Sequence, residues 1–138
     1  MNPNPPTEPS TRLRHTVRLA GVVIGYSELE EAWPGDGRAR GVFRPGVGYE
    51  LVEPVFRLFT EAVPAEDGPV SDVAKLERYH QSRDALGLRL EDADGTVVRT
   101  AGIHVADYAD AHGSRGRHLD VLIQDETYWA WRAAREGA

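Results

Sequence analysis

Short alternating segments, each closed within a few residues by glycine or proline, set what this chain can fold into. In Leu13-Arg14-His15-Thr16-Val17-Arg18-Leu19 the apolar positions and His15 fall on one side, with Arg14, Thr16 and Arg18 on the other. The same alternation runs through Leu86–Glu91 and His118–Gln124. Successive side chains of a strand point to opposite faces, so a period of two marks a half-buried strand. Strands this short, joined by tight turns, pair antiparallel, because parallel neighbours need crossovers of about a dozen residues or more. The expected fold is therefore α+β: an antiparallel sheet of five or six short strands, two inserted helices and a C-terminal helix. A chain of 138 residues suits one such domain. Its span is expected to be 12–138, after a proline-rich segment at 1–11 that reads as a disordered tail.

The helices announce themselves differently. Val52, Phe56, Phe59 and Val63, with Leu51, Val55 and Ala62 beside them, recur at helical spacing. Pro54 predicts that the helix starts there, with Tyr49–Val52 extended or forming a kinked first turn. Ser71 or Asp72 can cap a second helix to about Ala85, with Val73, Leu76, Tyr79 and His80 facing inward. Leu86, Leu88 and Leu90 then enter a hairpin whose turn is Asp94-Gly95 and whose return strand runs from Val97 toward Tyr108. The segment EEAWPGDGRA reads as a turn-rich connection, and Asp125 as the cap of the last helix.

Charge and composition exclude several roles. A formal net charge of −6 speaks against nucleic-acid binding through a basic face. The chain has no cysteine, and with it no disulfide, thiolate metal site or cysteine nucleophile is expected. No secretory leader or membrane-length apolar run is visible, so a cytoplasmic protein that does not enter membranes is expected. Lys75 is the single lysine; arginine usage with abundant alanine and glycine suggests a GC-rich bacterial source. GxGxxG, Walker, GxSxG and HExxH patterns are all missing, so neither cofactor nor catalytic residues are assigned.

The segment HVADYADAHGSRGRH, residues 104–118, carries three of the five histidines. A symmetric hairpin through it pairs His104 with Leu122, Ala106 with Asp120 and Tyr108 with His118, all on one face. Ile103, Val105, Val121 and Ile123 take the other face and the core. The first face reads foremost as a solvated polar surface. In the alternative reading His104, His118, Asp120 and His112 supply nitrogen and oxygen ligands to a metal. Arg115 and Arg117 form the one local basic patch, fit for a phosphate or an acidic partner. On the last helix Tyr128 and Trp131 share a face and Trp129 lies on another, which would leave an aromatic exposed as an interface anchor. The acidic run with Glu28, Glu30 and Trp33 reads as a wet edge.

Together these features favour a small binding module without chemistry of its own, its partner a protein or a small ligand. A homodimer through a sheet edge or the last helix fits the same pattern. The competing expectation is a metal-dependent enzyme or small-molecule-binding protein built on the His104, His118 and Asp120 face.

Overall fold

The computed structural model describes residues 13–136 and shows an α+β domain. The tail expected at 1–11 lies outside the described residues. In chain order come β1 (His15–Leu19), β2 (Val22–Ser27), β3 (Glu31–Trp33), β4 (Arg38–Val42) and β5 (Arg44–Pro45). Helices α1 (Glu53–Ala62) and α2 (Val73–Leu86) follow. Then come β6 (Arg89–Glu91), β7 (Val97–Val98), β8 (Thr100–Asp107), the short α3 (Ala109–His112), β9 (Arg117–Ile123) and α4 (Glu126–Glu136).

The strands form two antiparallel sheets where one was expected. The first has the order β5-β2-β1-β6-β7, the second β3-β4-β9-β8. The chain passes between them three times, the first crossing being residues 28–30 between β2 and β3. At Phe43 it leaves β4 for β5, and the Phe43 N–H donates to the carbonyl of Arg117 at 2.9 Å. At Arg99 it leaves β7 for β8, and the return strand that alternation predicted as one is divided there. The corner's backbone is satisfied on both sides: Arg99 N–H donates to Asp125 Oδ2 at 3.1 Å, and its carbonyl accepts from Gln124 N–H at 2.9 Å. Strands that switch sheets let two short sheets enclose one core. Val17, Ile24 and Leu90 meet Ala39, Val105, Leu119 and Val121 there, all without solvent exposure.

EEAWPGDGRA is more ordered than a connection. Glu31–Trp33 pairs with Arg38–Arg40, and Gly37, at φ 67°, closes the turn in the left-handed region. A three-residue strand is too short for alternation to show. The first helix begins one residue ahead of Pro54, after a tight turn over Tyr49–Leu51, as the proline implied. In α2 the Asp72 carboxylate accepts from Lys75 N–H at 2.9 Å, and Gly87, at φ 68°, ends the helix after Leu86. Leu86 thus belongs to the helix and not to the hairpin. Of the four residues expected inside, Tyr79 is buried and Leu76 half-buried, whereas Val73 and His80 are exposed. The two helices pack on each other and on β8, and this places the site.

Candidate binding cavity

One face of the second sheet fills the core. Its opposite face carries Arg38 and Arg40 from β4, His118 and Asp120 from β9, and His104 and Ala106 from β8. This face is partly covered: its polar residues are half-buried, and Leu122 beside them stays exposed. Helix α1, the 63–72 segment and α2 lie across it and leave a cavity of about 640 Å³ between roof and floor. Phe59, Val63, Leu76 and Tyr79 supply the apolar roof, and Tyr108 and Leu122 add to the walls.

The hairpin register differs from the symmetric one by two residues. His104 faces Asp120 and Ala106 faces His118, with the ladder irregular between Thr100 and Gly102. An even shift leaves every side chain on its expected face, which is why His104, His118 and Asp120 still share a floor. The loop of the hairpin is also not simply polar coil: Ala109–His112 is one helical turn, followed by a tight turn at Gly113–Gly116.

The floor's charged groups are engaged. Arg38 holds Asp120 bidentately, Nε to Oδ1 at 3.0 Å and Nη2 to Oδ2 at 2.7 Å. The Arg38 guanidinium also lies over the Trp33 ring at 5.1 Å. His104 shares a hydrogen bond through Nδ1 with the Tyr79 hydroxyl and sits edge-on to Phe59, ring centroids 4.3 Å apart. Burial pulls the His104 pKa from 6.5 to about 4, against the opposing pull of Asp120, so the ring is neutral at pH 7. With Nδ1 engaged, Nε2 is the ring nitrogen left for a molecule in the cavity.

At the other end Glu66, from the 63–72 segment, leans onto the floor. Its Oε2 lies 3.6 Å from Arg40 Nη2 and 3.5 Å from His118 Nδ1. Both distances exceed a good hydrogen bond. Glu66 Oε2 and His118 Nδ1 are buried without a hydrogen-bond partner.

His112, the fourth residue of the metal reading, is exposed at the end of α3 and does not line the cavity. Among the described residues no group of three or more histidine, aspartate or glutamate side chains is placed to hold a metal ion. Arg115 is exposed, while Arg117 donates to Asp107 at 3.1 Å. Tyr128 is buried, its hydroxyl bonded to His15 at 2.8 Å and to Arg132 at 3.1 Å. Trp129 and Trp131 are both half-buried against the core, and the Trp131 indole donates to Asp94 at 2.7 Å. On the last helix Tyr128 is thus enclosed, while both tryptophans keep part of their surface exposed. Glu28 pairs with Arg44 at 3.7 Å, and Glu30 accepts from the Val42 N–H at 3.0 Å.

Sequence reasoning missed Arg38, Arg40 and Glu66 as site residues. The two arginines share one parity on β4, a signal that gains meaning only once β4 is known to border β9. Glu66 has no local signal at all. Among the described residues no helix is long and apolar enough to cross a membrane. Compared with protein-family models, curated proteins and solved structures, the chain finds no match.

Proposed function

We propose that this domain binds a small organic molecule in the cavity between the second sheet and the α1–α2 pair. The observation that carries the reading is the cavity itself: about 640 Å³, roofed by Phe59, Leu76 and Tyr79 and floored by convergent polar side chains. Ligand sites of small molecules have this size and this make-up, a mainly apolar wall with a few placed polar groups. Holding, rather than chemistry, fits the floor best. Asp120 is held bidentately by Arg38, and His104 is oriented by Tyr79 through Nδ1, which leaves Nε2 for a ligand.

The test uses Gly102, which lines the cavity and around which an added Cβ meets nothing within 4 Å. A library of soluble fragments is screened by amide chemical shifts on the wild type and on Gly102→Phe. Hits that perturb Gly102–Ala106 and His118–Leu122, and that vanish in an equally stable Gly102→Phe, support the reading. A screen with no hits, or with hits confined to other surfaces, overturns it.

A further inference from the structure

The cavity's two orphaned polar atoms specify more than its size. A buried polar atom without a partner is costly to the fold, so each calls for a reason. Here the two belong to groups of complementary chemistry, Glu66 Oε2 and His118 Nδ1, standing 3.5 Å apart and unbonded. Arg40 Nη2 stands off from the same oxygen at 3.6 Å. The gaps are too wide for hydrogen bonds and too narrow for an intervening water. Three groups able to form a charge-assisted cluster therefore hold their places without closing it.

Their positions explain the arrangement. Arg40 and His118 are fixed on neighbouring strands of the floor. Glu66 reaches in from the 63–72 segment, whose backbone closes on itself: Gly68 N–H donates to Ala65 and Ser71 N–H to Ala62. The segment's fold does not depend on where the Glu66 carboxylate lies. Its Oε2 can leave the cavity by side-chain rotation alone, giving up contacts that are already loose.

We infer that the cavity takes an apolar molecule bearing a carboxylate, and that Glu66 occupies the seat of that carboxylate until the ligand displaces it. The inference rests on reading the cavity as a ligand site. A carboxylate is the group indicated because a carboxylate already fits between Arg40 and His118. A ligand entering along Phe59 and Leu76 can bring its head group closer to both donors than the tethered glutamate comes. Arg40 can offer two parallel N–H donors, and His118 adds a third from Nδ1 when that nitrogen carries the proton. The other cavity arginines are less suited: Arg38 is held by Asp120, and Arg83 donates from Nε and Nη2 to Asp84 at 3.2 and 3.1 Å.

Three probes of one shape separate the possibilities: phenylbutyrate, phenylbutanol and phenylbutylamine, titrated by calorimetry into the wild type, Glu66→Gln, Arg40→Gln and Gly102→Phe. Phenylbutyrate is expected to bind tightest. Glu66→Gln removes the competing negative charge and should tighten phenylbutyrate by about tenfold while leaving phenylbutanol unchanged. Arg40→Gln should weaken phenylbutyrate by a similar factor at unchanged phenylbutanol affinity, and Gly102→Phe should abolish both. Thermal melts show that each variant is folded. If phenylbutanol or phenylbutylamine equals phenylbutyrate and Gly102→Phe still blocks them, the carboxylate seat is refuted and the cavity site stands. An acid affinity indifferent to Glu66→Gln likewise refutes the seat and makes Glu66 a buttress. If no probe binds, or Gly102→Phe blocks none, seat and cavity reading fall together.

Discussion

Tyr79 on α2 and His104 on β8 share a hydrogen bond that fastens the roof of the cavity to its floor. Burial acts on both, raising the Tyr79 pKa and pulling His104 down to about 4, so two neutral groups meet at pH 7. Tyr79→Phe keeps the ring packed on Phe56 and Phe59 and leaves the imidazole nitrogen without its partner. A loss of about 1–2 kcal/mol is expected, seen as a lower urea midpoint at unchanged m-value. An unchanged midpoint would show that the bond contributes nothing to holding the helices.

Acid should unfold this protein early. His15, fully buried, has its pKa lowered to about 4 by burial first and by the Arg132 charge second. With His104 this makes two histidines that the unfolded chain protonates near 6.5 and the folded chain resists until about 4. The unfolded state binds more protons across that window, so stability is complete above pH 6.5 and falls as pH drops toward 4. Each histidine contributes a loss of roughly 3 kcal/mol by pH 4. Thermal melts at stepped pH should show the decline, and His15→Gln, if folded, should about halve its slope. A melting temperature flat from pH 7 to 4.5 contradicts the assignment.

Arg132 is buried at 1% exposure and holds the chain at a strained point. Its Nη2 donates to the Leu29 carbonyl at 2.6 Å, and the Ser27 hydroxyl accepts from the Leu29 N–H at 3.0 Å. Leu29 lies at φ 45°, a region that non-glycine residues seldom enter, so both clamps oppose backbone strain. Arg132→Met keeps much of the side-chain volume and strands that carbonyl; a cost of about 1–3 kcal/mol is expected in denaturant titration. Stability equal to the wild type would mean that Ser27 alone suffices.

Two strand glycines should respond oppositely to alanine. At Gly41 an added Cβ would lie 2.7 Å from the Leu29 backbone and from the Ser27 hydroxyl, so Gly41→Ala must push against the clamped turn. A loss of about 1–3 kcal/mol is expected. Gly102→Ala meets open space and restricts the unfolded chain, and should be neutral or stabilising by up to about 1 kcal/mol. Melting temperatures of the two variants, taken side by side, decide it; equal shifts would contradict the packing at both sites.

Much of the candidate site was legible before the fold was. Alternation through 102–108 and 118–124 placed His104, His118 and Asp120 on one face, and an error of two residues in register could not move them off it. What alternation could not say was whether that face meets water. It is covered in part because α1 and α2, inserted between β5 and β6, pack back on β8. The aromatics of α4 divide between core and surface. The buried His15 draws Tyr128 inward, whereas Trp131 is half-buried and its indole bonds the exposed turn residue Asp94.

By itself the sequence determined the longer strands and helices, the caps at Asp72 and Asp125, and the apolar face of the alternating strands, because these depend on neighbours a few residues apart. The tertiary structure alone decided the division into two sheets, with crossings at 28–30, Phe43 and Arg99, the partial covering of the polar face, and the meeting of Arg40, His118 and Glu66. Those contacts join residues tens of positions apart, and their partners are selected by packing and charge in three dimensions rather than by any local period.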